Sequence, residues 1–249
     1  MAMTTSGLAR SGDETVVMLP TSSVVRVLPE QKVQRILVVN GKGGCGKSTI
    51  STNLAGYYAS AGFKTALFDF DPQGSSMQWL SMRQADHNPI QGVDAYRRPG
   101  SMVTRTFQVR IPPGTQRVIL DAPAGASGQA LLEMVREADT IIIPVTPSPI
   151  DIHATSRFIG ELLLTGKVRA RGVRMGVVAN RIGKKSEAYH KLEKFLYSLK
   201  IPFLARFNDN LDYLRAAEQG LGICELRSKD NRYELSQWKN LIRWLEEAQ

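Results

Sequence analysis

From residue 36 onward the chain carries short, nearly unbroken apolar runs at 36–39, 65–70, 118–120, 141–145 and 175–179. Runs this short, without polar alternation, are the pattern of strands buried on both faces. Between them helical patterns occupy 47–61, 127–138, 152–165 and 186–199. Strand and helix in alternation predict an α/β fold, a doubly wound, mostly parallel sheet with helices on both faces. Near the end, Leu235, Trp238, Leu241, Ile242 and Leu245 fall on one helical face, which predicts a last helix packed on the sheet. A helix resting on a membrane surface wants basic residues on its polar side, and this one ends Glu246-Glu247, so no membrane partner is expected.

The first 33 residues lack any sustained period and are rich in Ser, Thr and Gly. They are expected to form a flexible extension ahead of a single domain over 34–249. The apolar runs are far too short to span a bilayer, and 16–19 is too short for a signal peptide's apolar region. Two cysteines, Cys45 and Cys224, give no disulfide framework, so a reducing, cytoplasmic setting is expected.

The most specific chemistry lies in "GKGGCGKS", Gly41 to Ser48, which matches G-x-x-x-x-G-K-[ST]. It follows a predicted strand and opens a predicted helix, the context a phosphate-binding loop requires. Gly41, Gly43, Gly44 and Gly46 let the backbone turn its N–H groups toward phosphate oxygens, and Cys45 would contribute its own N–H. The helix start, with Thr49 in its first turn, adds the positive end of its dipole. Lys47 would bridge the β- and γ-phosphates of ATP, and the Ser48 hydroxyl would ligate Mg²⁺. The loop holds a second lysine, Lys42, which this chemistry does not require.

Two acidic strand ends accompany it. In "ALFDFDPQGSS" Asp69 and Asp71 share a face for as long as the chain stays extended. In "RVILDAPAG" Asp121 ends an apolar strand, where a carboxylate could hold Mg²⁺ directly or through water. Pro72, Gly74, Pro123 and Gly125 are turn-formers that would make both segments responsive to a γ-phosphate. His87, His153 and His190 are scattered, so no zinc site is assigned. The net charge is +9, and residues 151–249 hold 18 Lys and Arg against 12 Asp and Glu. That excess suits a polyanionic partner such as nucleic acid.

The run K-G-G-x-G-K-[ST], with Lys42 just after the first glycine, resembles the deviant Walker A loop of the ParA/MinD superfamily of P-loop NTPases. The D-x-D-P-Q-G stretch is similar to theirs, and the resemblance covers about residues 34–249. It departs at Ala124-Gly125, where the family more often has Asp-x-Pro-Pro. The resemblance implies that Lys42 reaches across a two-fold interface to the partner's ATP, so that ATP drives a homodimer, with 144–151 at the dimer face. It implies that Asp71 orients or activates the attacking water beside the metal, with Asp69 as a support. Asn180 would meet the base edge, and the loop and helix from Asp209-Asn210 to Gly220 would close over the base.

The implied activity is slow ATP hydrolysis by a switch that binds DNA without reading sequence, through Arg181, Lys184, Lys185, Arg206 and Arg215. A cargo adaptor protein would stimulate hydrolysis, and the protein would be cytoplasmic and nucleoid-associated. The cargo expected is a protein assembly such as a carboxysome, ahead of a plasmid or chromosome. The alternatives are a MinD-like membrane-associated switch or an ATP-dependent ligase on the same fold, which would need an acceptor pocket.

Overall fold

The computed structural model describes residues 33–96, 110–164, 168, 170–183, 187–198, 200–228 and 231–247. The expected N-terminal extension falls outside them except for Val33, as do Lys184 and Lys185. Among the described residues, seven strands form one sheet: β1 (Gln34–Val38), β2 (Thr65–Asp69), β3 (Ile90–Asp94), β4 (Arg117–Asp121), β5 (Thr140–Val145), β6 (Arg174–Ile182) and β7 (Phe203–Asn208). The spatial order is β3-β2-β4-β1-β5-β6-β7, and each neighbouring pair is parallel. The connecting helices are α1 (Lys47–Ser60), α2 (Ser75–Ser81), α3 (Gly128–Glu137), α4 (Pro149–Leu164), α5 (Glu187–Ser198), α6 (Leu211–Ala217) and α7 (Arg232–Glu246).

The unbroken apolar runs have a direct cause. Successive strand residues point to opposite faces, and here both faces are covered. Ile36 and Val38 of β1 enter one core with Ile50, Leu54 and Tyr58 of α1 and Trp238, Leu241 and Leu245 of α7. Leu37 enters the other, with Leu131 and Val135 of α3 and Phe158, Ile159 and Leu162 of α4. Leu67 and Phe68 of β2 divide in the same way. Fully burying each such side chain contributes about 1.5–3 kcal/mol before the entropy cost.

From β1 the chain moves outward to β2 and β3, returns to β4 on β1's flank, then crosses to β5, β6 and β7 on the other side. Connections diverge at β1, so a crevice opens beyond the C-terminal ends of β1 and its neighbours.

Three elements lie outside the apolar pattern. In the edge strand β3 only Ile90 is buried. In the other edge strand, β7, Arg206 faces out. Helix α2 spans seven residues and is too short to show a period.

The last helix packs as expected through Trp238, Leu241, Ile242 and Leu245, but Leu235 is only half-buried and Glu234 is buried in its place. That carboxylate accepts from the Asn208 backbone N–H (3.3 Å), Asn208 Nδ2 (2.9 Å) and the Tyr213 hydroxyl (2.9 Å). Three donors make the burial tolerable. Among the described residues no helix is long and apolar enough to cross a membrane.

Candidate nucleotide site at the C-terminal edge of the sheet

The loop after β1 is anchored by Asn40, a buried residue the sequence pattern does not single out. Its Nδ2 donates to the Pro144 carbonyl (2.8 Å) and to Thr155 Oγ1 (3.1 Å), and its Oδ1 accepts from the Lys42 N–H (3.1 Å). One side chain thus ties the loop to β5 and α4. The turn into α1 needs a left-handed residue at Gly46, with φ 93°, and a Cβ there would run into Asn180 Nδ2. Cys45 is buried, and its thiol donates to the Lys42 carbonyl at 3.3 Å. Burial pushes that thiol's pKa up, so it packs as a small neutral side chain.

The two lysines occupy different surroundings. Lys47 is 6% exposed, and its Nζ donates to the Lys42 carbonyl at 3.2 Å. Among the described residues no carboxylate lies within ion-pair distance of it. An ammonium has three protons to place. A buried one held by a carbonyl, at the start of a helix, is a cradle for an anion, and these residues fit a phosphate chain. The Lys42 side chain is 44% exposed, and its Nζ lies 3.5 Å from Asp151 Oδ1 at the start of α4.

Asp69 and Asp121 are register partners at the ends of β2 and β4, and both are buried. Asp121 accepts from the Ser51 hydroxyl (3.1 Å) and in a short bond from the Ser76 hydroxyl, and the nearby Ser48 hydroxyl also favours its charged form. Burial, with Asp69 alongside, pushes its carboxyl up to about 6, against the pull of the Ser76 hydroxyl. A hydroxyl and a carboxylate meeting at a helix start are the donor set a divalent cation takes, so Ser48 and Asp121 fit Mg²⁺.

Asp69 and Asp71 do not act as a same-face pair, because the strand ends at Asp69. Asp69 accepts from the N–H groups of Asp71, Ser76 and Met77 and so holds the start of α2. Asp71 accepts from the Gln73 N–H (2.9 Å) and the Ala124 N–H (3.1 Å), joining the segments after β2 and β4.

Beside this cluster lies a cavity of about 390 Å³. Ser48 and Thr49 of the loop end share its wall with Asn180, Asp209 and Asn210. Asn180 also donates to the Cys45 carbonyl (3.0 Å), and Asn210 Oδ1 caps α6 through the Asp212 N–H (2.9 Å). Tyr213 lines it from within the 209–220 stretch expected to close over the base, and Trp79 and Asn208 line it too, of which the linear sequence carries no sign because they meet only when α2 and β7 converge.

The expected DNA contacts are distributed differently from one another. Arg181, at φ 55°, stands on this cavity's wall. Arg206 lies 3.4 Å from Glu193, and Arg215 pairs with Asp212 at 3.0 Å.

The family model for the CobQ/CobB/MinD/ParA nucleotide binding domain (CbiA) matches residues 36–223, the stretch that holds the loop, both acidic strand ends and the cavity. The chain belongs to this ParA/MinD family. It is 30% identical over 216 residues to the maintenance of carboxysome distribution protein A of Gloeobacter kilaueensis, covering 86% of this chain and 91% of that one. The protein of the same name from Halothiobacillus neapolitanus is 25% identical over 230 residues, covering 86% and 99%. Among solved structures, the ATP complex of a Cyanothece McdA variant superposes with a TM-score of 0.60 at 16% identity, over 86% of this chain and 95% of that one. That likeness shows a shared fold.

Proposed function

We propose that this ParA/MinD-family chain is an Mg²⁺-dependent ATP hydrolase that dimerises around ATP, binds DNA without sequence preference and positions an intracellular cargo. The observation that carries the reading is the division between the two loop lysines, one buried in the loop and one half exposed at its rim. Lys47 and the N–H groups of 41–49 hold the phosphates. Asn180, Asp209 and Asn210 face the base. Ser48 and Asp121, with Asp71 nearby, hold Mg²⁺, which supplies charge to offset that developing on the transferred phosphoryl group. Asp71 orients the attacking water. Lys42 is set to reach a second copy's ATP, since its side chain is 44% exposed and its pair with Asp151 is long, at 3.5 Å.

The basic C-terminal part, through Arg181, Lys184, Lys185, Arg206 and Arg215, serves the DNA contact, and a cargo adaptor stimulates hydrolysis. Residues 34–249 act as the ATPase domain behind an extension, in a cytoplasmic, nucleoid-associated protein. Two relatives bear the name of carboxysome distribution, which supports a carboxysome or a comparable protein assembly as the cargo.

The test is a mobility-shift series on unrelated duplexes with no nucleotide, ADP or ATP, across salt concentrations. Retention with ATP alone, weakening steeply with salt and lost in Lys42→Ala, is the expected result. No retention in any state removes DNA from the reading.

A further inference from the structure

Helix α2 is short, yet it is held at both ends. At its start the Ser76 and Met77 N–H groups donate to Asp69, and the Ser76 hydroxyl donates to Asp121. Just past its end the Arg83 guanidinium grips Glu225 with two prongs, Nη2 to Oε1 at 2.6 Å and Nη1 to Oε2 at 3.0 Å. Both side chains are buried, 4% and 7% exposed. Arg83 Nη1 also donates to the Gly220 carbonyl (3.0 Å), and Trp79 Nε1 donates to the Leu221 carbonyl (3.2 Å). Gly220 has φ 65°, and a Cβ on it would run into the Arg83 backbone. Glu225 further accepts from the Gly222 N–H (2.8 Å) and from the Ser60 hydroxyl at the end of α1 (2.8 Å).

A buried ion pair gives little net stability over a well-packed apolar replacement, because two charges must first leave water. What this one supplies is a fixed distance between two segments. The first is α2, whose start rests on the carboxylates beside the phosphate loop. The second is the stretch after α6, the helix whose Tyr213, Leu214 and Ala217 wall the cavity.

We propose that Arg83 and Glu225 are positioning residues that couple the γ-phosphate end of the site to the cavity wall built by α6. The proposal rests on the ATP-site reading above. Neither residue lines the cavity, so their effect passes through α2. A shift of the segment from Asp69 to Ser76 moves α2 as a unit, and the two-pronged contact carries that shift to residues 217–225. The nucleoside wall then differs between triphosphate and diphosphate, although the γ-phosphate does not touch it. Tyr213 and Leu214 are thereby tied to the chemistry at the opposite end of the nucleotide.

Amide hydrogen exchange of the full chain with Mg-ADP and with the Mg complex of a non-hydrolysable ATP analogue tests this. In the wild type the analogue is expected to slow exchange over 75–78 and also over 211–221, the latter by at least about fivefold relative to ADP. In Arg83→Ala the response at 75–78 remains, and that at 211–221 falls to within about twofold. A brace with no coupling role would loosen 211–221 equally in both nucleotide states and leave the ratio unchanged.

The proposal is overturned if 211–221 responds equally in the variant, or fails to respond in the wild type. Should Arg83→Ala not fold, Arg83→Lys, which keeps the charge and loses one prong, and Glu225→Gln take its place with a partial loss expected. If neither nucleotide protects 41–48, the ATP-site reading falls and the coupling with it. If 41–48 is protected and only the difference at 211–221 is missing, the reading stands and the coupling alone is wrong.

Discussion

The ammonium of Lys47 donates to the backbone carbonyl of Lys42, 3.2 Å away, so one loop lysine is buried against the main chain of the other. The two side chains are therefore committed to different directions. Lys47→Ala is expected to weaken nucleotide binding by roughly a hundredfold or more, since it removes charge-assisted hydrogen bonds to the phosphates. Lys42→Ala should leave monomer affinity within about threefold, because its partly exposed, 3.5 Å pair with Asp151 lies at the rim of the loop and not in the phosphate cradle. It should abolish the ATP-dependent dimer. Fluorescent-nucleotide titration and light scattering separate the two effects.

Gly46 and Gly62 have similar backbone angles, φ 93° and φ 87°. Alanine at either one costs about 1–2 kcal/mol for the left-handed conformation. At Gly62 a Cβ meets nothing within 4 Å, whereas at Gly46 it displaces the Asn180 amide. Both variants should melt earlier, but only Gly46→Ala should lose nucleotide affinity. Equal affinity losses would mean that Asn180 does not matter to the site.

Trp238 lies flat on Phe207, with centroids 4.5 Å apart, and donates to the Tyr213 hydroxyl at 3.0 Å. Trp238→Ala should cost about 3–5 kcal/mol in urea unfolding. Trp238→Phe keeps the stacking and loses the hydrogen bond, a change of about 1 kcal/mol plus a small packing loss.

Glu234 and Glu225 should give stability opposite dependences on pH. Burial raises the Glu234 carboxyl, and the Tyr213 and Asn208 donors pull it only part of the way back. The folded state therefore binds that proton more tightly than the unfolded chain does. The resulting contribution is fully present below the ordinary glutamate range and lost as pH rises through the folded pKa. Burial also pushes Glu225 up, but Arg83, the Gly222 N–H and Ser60 more than reverse it, leaving the carboxyl lowered. Its contribution is present above the ordinary range and lost as pH falls through the folded pKa. Unfolding followed from acid to neutral pH should show Glu234→Gln gaining on the wild type as pH rises, and Glu225→Gln losing ground. Parallel profiles would contradict both assignments.

The architecture and the phosphate loop were legible in the linear chain because each is written locally. A strand covered on both faces must be apolar at every step, and a loop that wraps phosphate must carry glycines and lysine at set spacing. Lys42, Lys47, Ser48 and Asp121 could be put forward as candidates from order alone.

What the linear order could not state is which distant segments touch. The edge strands β3 and β7 have one-sided or mixed burial and so lose the apolar signature. Asn40, Trp79 and Asn208 become part of the site only where separate elements converge. Asp69 and Asp71 would share a face if the strand continued, but β2 stops between them, and one then supports α2 while the other joins two loops. Nothing in the linear pattern marks Glu234 for burial, and three donors from β7 and α6 make it possible. Local geometry and hydrophobic periodicity are properties of a few neighbouring residues, so the sequence alone determined the five inner strands and the loop pattern. The pairing of buried charges depends on contacts between residues far apart in the chain, such as Arg83 with Glu225, and only the tertiary structure decided those.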